Sequence, residues 1–258
     1  MSYIVPAILI FTIYTTFFLE IDLYYAKLIK PTTWEYFQIM NFRTIWLLNY
    51  SLFFVAVLSF VNLKKVKNQI LGRVSIVLSI IAIFTFLTVG LFELGELRED
   101  YLDHSAVNPP ALNITIRYIS FLFFALTMFA TFLYTKASFI SKKFDTLFDV
   151  LFHFSMLWII SSEFLHWMNI AHATEDYKIL SILWGIYALL LIVLGIWKKK
   201  KHLRISAMVL FGVTLIKLFI YDITHFGTIG KTIVFISLGI ILLTISFLYN
   251  KYKRIISD

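Results

Sequence analysis

The chain has 258 residues, of which 60% are hydrophobic, 18% aromatic and only 15% charged, and its mean hydropathy is +0.85. A soluble domain is about 45–50% apolar and about 25% charged, so this chain lacks the polar surface to coat a water-soluble globule. That excludes a soluble enzyme, a disordered chain and a soluble nucleic-acid binder, despite a net charge of +8. With no cysteine, disulfides, thiolate metal sites, thiol catalysis and a lipoprotein anchor also drop out.

A spanning helix needs about 20 mainly apolar residues. Eight runs meet this requirement, at approximately 3–19, 44–62, 72–92, 114–134, 146–168, 179–197, 203–221 and 231–249. The chain therefore reads as one all-α transmembrane domain over 1–258, a polytopic helix bundle. The first run follows Met-Ser-Tyr, with no basic n-region and no small-residue cleavage pattern, so it reads as a retained helix that also serves as the export signal. Residues 20–43 read as a long outer loop rich in aromatics (Tyr24, Tyr25, Trp34, Tyr36), with room for a short interfacial helix. The third run leads into an acidic outer loop with Glu93, Glu96, Glu99, Asp100 and Asp103, then Asn108-Pro109-Pro110. Ser120, Thr127, Thr131 and Thr135 form one polar stripe on the fourth run, read as a helix-packing face, with a pore lining as the alternative. The link Lys198–Lys201 is so short that the sixth and seventh runs must form a tight antiparallel hairpin.

Orientation follows from basic residues at the helix ends. One set of turns holds Lys64, Lys65, Lys67, Arg73, Lys136, Lys142, Lys143, Lys198 to Lys201, Arg204, Lys251, Lys253 and Arg254. The opposite set holds only Lys27, Lys30, Arg43, Arg98, Arg117, Lys178 and Lys231. Both termini are expected in the cytoplasm. Seven or nine spans would put one basic cluster on the wrong side.

Outward-running helices end at Glu20, Glu93, Glu163 and Asp222, and the next helices begin near Arg43, Arg117, Lys178 and Lys231. Acids at helix C-termini and bases near N-termini both oppose the helix dipole, so these groups call for cross-helix pairing or a ligand. Three charges fall inside the runs. Glu163 lies about 7–8 Å below the end of the fifth at 1.5 Å per residue; Arg117 and Lys217 lie at similar depth, with Asn49 level with them. Intramembrane charges usually face the bundle interior. Arg117 and Lys217 are long enough to snorkel to the headgroups instead; Glu163 is not.

Glu163 and His166 sit three apart on one helix face, a spacing suited to acid–base chemistry or to two metal ligands. Asp222 and His225 repeat it. Two acid-x-x-His pairs resemble half of a dimetal site in a bundle, but the remaining ligands are missing, and no metal, cofactor or catalytic residue is assigned. His153 is either a packed histidine or part of a proton path. No phosphate loop, dinucleotide fingerprint, G-x-S-x-G elbow or H-E-x-x-H motif occurs.

The stretch Ser161 to Tyr252 carries Ser-Ser-Glu-Phe-Leu-His-Trp at 161–167 and Ile-Leu-Trp-Gly-Ile-Tyr-Ala-Leu at 182–189. Leu-Arg-Ile-Ser-Ala follows at 203–207, Leu-Ile-Lys-Leu-Phe-Ile-Tyr-Asp at 215–222 and Ser-Leu-Gly-Ile-Ile-Leu-Leu at 237–243. This resembles the C-terminal end of a bacterial membrane-protein family known as domain of unknown function 2339. The resemblance covers about 90 residues and implies a bacterial envelope location and a short relative or stand-alone C-terminal module. It adds weight to Glu163, Lys217 and Asp222, which fall in the matching segments.

The expected function is non-enzymatic. A multi-pass protein of the bacterial inner membrane binds a polar or lipid-linked ligand, or a partner membrane protein, at its outer rim, within a transport or envelope-assembly system. Its expected partners are the lipid bilayer and such ligands, not nucleic acid. Glu163 would be the buried anion, Lys217 and Arg117 its counter-charges, and Asp222 and His166 polar ligands at the mouth. The rival is an enzyme on a lipid-linked substrate at the outer leaflet. Glu163 or Glu93 would then be the general base, and Lys217 or Arg117 would hold a phosphate.

Overall fold

The computed structural model describes residues 4–28, 35–102, 111–171, 176–218 and 228–251. Every element among them is helical. In chain order these are α1 (Ile4–Leu28), α2 (Glu35–Val61), α3 (Gln69–Thr85), α4 (Leu91–Leu102), α5 (Leu112–Thr135), α6 (Lys143–Ile170), α7 (Asp176–Trp197), α8 (Lys201–Lys217) and α9 (Thr228–Lys251). A wide π turn, Asn62–Val66, ends α2, and a second, Phe86–Gly90, joins α3 to α4. The α3–α4 rod is continuous over Gln69–Leu102, so each of the eight expected runs has its helix.

Among the described residues, six helices are long and apolar enough to cross a membrane: Ile4–Leu28, Tyr36–Val66, Gln69–Leu102, Leu112–Thr135, Lys143–Ile170 and Leu180–Trp197. The remaining two rods are α8, which is 17 residues long, and α9, whose apolar stretch is Phe235–Thr244. Large apolar side chains such as Phe11, Phe84, Leu122 and Ile216 are exposed on these helices. A surface of this kind is matched to lipid, not to water.

The helices overrun their apolar runs. α1 continues to Leu28 and α2 already begins at Glu35, so Asp22, Tyr24, Tyr25 and Tyr36 lie on helix and not in a long outer loop. Glu93, Glu96, Glu99 and Asp100, expected in a loop, likewise lie on α4. The physical reason is that hydropathy marks the part of a helix that must be in lipid, while the helix itself runs on until its backbone is interrupted. The 34-residue α3–α4 rod is about 51 Å long, which exceeds the roughly 40–45 Å of a bilayer with its headgroups.

The chain divides into two compact units, Met1–Phe148 and Asp149–Asp258. In the first, α2 is packed by α1, α3, α4 and α5. α3 turns a seam of Gly72, Ser75, Ile76, Ser79 and Ile83 inward. α5 buries Ser120, Thr127 and Thr131 fully. The Thr127 hydroxyl donates to the Leu52 carbonyl of α2 at 2.8 Å, so these three residues of the expected stripe form a packing seam, while Thr135 is only half-buried and bonds back to the Phe132 carbonyl of its own helix. At the turn after α2, the Asn62 amide donates to the buried Tyr134 hydroxyl at 3.2 Å and to the Asn68 carbonyl at 3.1 Å. Asn68 in turn caps α3, accepting from the Ile70 and Leu71 N–H groups.

In the second unit, α7 and α8 form the expected hairpin. Lys198 N–H donates to Leu194 O at 2.8 Å and Lys200 N–H to Gly195 O at 3.0 Å. Gly195 is required here: a Cβ would stand 2.7 Å from Arg204 Cγ and 3.0 Å from its backbone nitrogen. Two apolar clusters fill the unit, one of Ala188, Phe211, Leu218, Leu238 and Ile241, the other of Leu191, Ile192, Leu203 and Ala207.

Candidate functional site

In the first unit, the end of the helices that carries Glu93 and Arg117 holds a group of buried polar residues. α5 sets Asn113, Arg117 and Ser120 at spacings of four and three, which places them on one face. All three are buried; Arg117 is only 1% exposed. Of the two sequence readings for Arg117, the structure takes the interior one, not the snorkelling one. Its guanidinium lies 5.2 Å over the Phe121 ring, whose negative π face attracts a cation.

The π turn supports that ring. Phe86 stands edge-on to Phe121, 6.3 Å away, and 5.5 Å from Phe124. Phe86 can sit there because residue 90 is glycine: a Cβ on Gly90 would be 2.7 Å from the Phe86 ring. Asn49 of α2, expected at this level, donates its amide to the Ser120 hydroxyl at 3.0 Å. Its carbonyl oxygen has no hydrogen-bond partner among the described residues. Neither amide atom of Asn113 has one either, although the residue is 1% exposed. Glu93, half-buried, is in the first turn of α4, and Arg98 pairs with Glu99 on the same helix.

The acidic end of α1 adds a second feature. Arg43 pairs with Asp22 at 2.6 Å. Glu20, Ile21, Tyr24, Tyr25 and Trp46 line a shallow cup of about 430 Å³.

In the second unit, Lys217 is half-buried and donates to the Ser181 hydroxyl of α7 at 3.0 Å. Glu163 is half-buried on α6, and His166, one turn on, is 1% exposed. Below them, Ser161 accepts from the Trp184 indole at 2.9 Å. Asp222 and His225 lie outside the described residues. Among the described residues no three His, Cys, Asp or Glu side chains gather as metal ligands.

His153 is one half of a local lock. The Tyr187 hydroxyl donates to the His153 carbonyl at 3.2 Å and lies 3.1 Å from His153 Nδ1. A phenol has one proton, so if that proton goes to the carbonyl, Nδ1 must be the donor to the phenol oxygen. One turn away, Asp149 accepts on a single oxygen from Lys200 Nζ at 2.5 Å and from His202 Nε2 at 2.7 Å. Sequence reasoning missed this cluster. The available signal was an acid, Asp149, four residues before His153 on the same face of an otherwise apolar stretch of α6.

A sequence model of the family described as predicted membrane protein (DUF2339) matches residues 3–252. The chain belongs to that family. The resemblance expected for the last third of the chain thus extends over nearly all of it, first unit included. Searches among curated proteins and among solved structures give no match. The buried face of the first unit thus carries a guanidinium on an aromatic ring and, without hydrogen-bond partners among the described residues, one amide donor group and two amide oxygens.

Proposed function

We propose that this multi-pass membrane protein lies in the bacterial inner membrane with both ends in the cytoplasm. It is a non-enzymatic binding module there, within a transport or envelope-assembly system. Its ligand is polar or lipid-linked and carries an anionic group together with hydroxyls. Arg117 holds the anion and Asn113 and Asn49 take the hydroxyls, at the outer end of the first unit. Glu93 rims this site. By the same topology, Glu163, His166 and Lys217 are the polar groups at the outer ends of the second unit's helices, and Asp222 is proposed from the sequence to join them.

The single observation that carries this reading is Asn113. A buried amide left without hydrogen bonds costs about 1–3 kcal/mol, and in lipid there is no water to relieve it. Beside a buried arginine, a ligand with donors and acceptors removes that cost. The orientation rests on the basic turns, since lysine and arginine near helix ends favour the cytoplasm.

The test uses the full-length protein in nanodiscs, with a fluorescent polyprenyl phosphate as probe and the uncharged polyprenol as control. Wild type is expected to bind the phosphate and not the alcohol. Arg117→Gln and Asn113→Leu are each expected to weaken binding more than about tenfold, as for lost bonds to a charged group. Equal binding of both probes, or variants that bind like wild type, would sink the reading. A fluorescent protein fused after Asp258 is expected to light up in the cytoplasm; alkaline phosphatase activity there would reverse the orientation.

A further inference from the structure

The first unit holds a second concavity that the outer site does not use. α1 leans on α2 through Tyr14, whose hydroxyl is 2.9 Å from Ser51 Oγ and whose ring stacks on Tyr50 at 5.6 Å. No residue of α1 is buried. Between α1, α2 and α3 runs a groove of about 900 Å³, at the upper end of the roughly 300–1,000 Å³ usual for ligand pockets. Its wall on α1 includes Ala7, Ile10 and Phe11, and its wall on α3 includes Leu71, Leu78 and Ala82. From Ile70 to Thr85 the α3 wall is about 22 Å long, more than the roughly 15 Å depth of one leaflet.

Chemistry changes at one end only. Val66 and Asn68 line that end, and between them stands Lys67, exposed like its neighbours Lys64 and Lys65 and like Arg73 one turn further along. Four cations therefore flank one mouth of an apolar channel. The rest of the wall offers small polar groups only: the Tyr14–Ser51 pair and Thr85.

We propose that this groove holds an acyl chain of an anionic phospholipid, with its phosphate-bearing headgroup on the Lys64, Lys65, Lys67 and Arg73 turn. The occupant is set by the two halves of the site together. An apolar channel that lies in the hydrocarbon takes a chain. A mouth that carries four positive charges, and no acid in the turn from 62 to 73, selects a negative head. A protein helix would fill the channel but has no reason to prefer the charged mouth. The site is at the opposite end of the unit from Arg117 and does not depend on the outer ligand.

The test is native mass spectrometry of the full-length protein, titrated in detergent with phosphatidylglycerol and with phosphatidylcholine of the same chains. Wild type is expected to bind phosphatidylglycerol preferentially. Each charge-to-glutamine substitution among Lys64, Lys65, Lys67 and Arg73 is expected to lower that preference about fivefold, leaving phosphatidylcholine binding unchanged. Ala82→Trp, which fills the channel, is expected to lower the binding of both lipids. Ala7→Trp obstructs the same channel from the α1 side, so the inference does not hang on one variant folding. Arg117→Gln is expected to leave lipid binding intact, which separates this inference from the outer site. The proposal is overturned if the two lipids bind alike, if folded Ala82→Trp and Ala7→Trp variants bind as wild type, or if the groove variants instead abolish a dimer.

Discussion

In the first unit, α2 and α5 meet through short polar side chains: Asn49 on Ser120, and Thr127 on the Leu52 carbonyl. In the second unit, α6 and α7 meet through bonds that each end on a large aromatic side chain of α7: His153 to Tyr187 and Ser161 to Trp184. In lipid the hydrophobic effect does not drive helices together, so packing and interhelical hydrogen bonds must do so. Short groups let backbones approach closely but leave little room to reorient. Asn113 and the Asn49 carbonyl are buried there without hydrogen-bond partners among the described residues. Large groups hold helices at a distance and bring their own partners with them. The contrast is therefore one of packing: buried polar groups without described partners in the first unit, aromatic-bearing interhelical bonds in the second.

The largest effect is expected where the second unit does pack closely. Gly195→Leu would drive a side chain into the Arg204 backbone and should cost about 1–3 kcal/mol or more. Thermal unfolding of the detergent-solubilised protein, with limited proteolysis to locate the loss, should show α7 and α8 opening while α2 and α5 stay protected. If both units lose protection together, they are not independent in stability.

A change of opposite sign is expected at Asn113. Asn113→Leu removes an amide that no described residue satisfies and should raise stability by about 1–2 kcal/mol in ligand-free protein. The same variant should lose the polyprenyl phosphate. A fall in the unfolding temperature would mean that Asn113 serves the fold, and recognition would not belong to the first unit.

The finest comparison is between interhelical bonds of the two units. Thr127→Val deletes one and should cost about 0.6 kcal/mol, the average for such bonds in membranes; Tyr187→Phe deletes the two contacts to His153 and should cost about twice that. A twofold ratio would confirm that reach does not change strength per bond. A much larger loss for Tyr187→Phe would make the His153 lock a cooperative unit and not a simple staple.

The rods themselves were legible because a bilayer imposes a length and a polarity that few other environments demand. The hairpin at Lys198–Lys201 was legible from its brevity alone. Helix ends were not: Glu35 begins α2 and Leu102 ends α4 well outside the apolar runs, because charged residues extend a helix readily once it has left the lipid. For Arg117, depth was readable but direction was not, since a snorkelling and a buried arginine have the same sequence context. Asp149 stayed hidden because its partners, Lys200 and His202, are some fifty residues away and belong to a cluster fully explained by topology.

Two of the basic links share a backbone detail. Lys67 and Lys199 both adopt left-handed geometry, with φ of 52° and 53°, in positions that close a helix and that glycine usually fills. A lysine there costs about 1 kcal/mol of local strain. It also fixes a charge at the tip of a helical hairpin, and a basic residue beside a helix end favours one flank of a membrane over the other. Relaxing these corners to glycine would exchange that charge for a less strained bend.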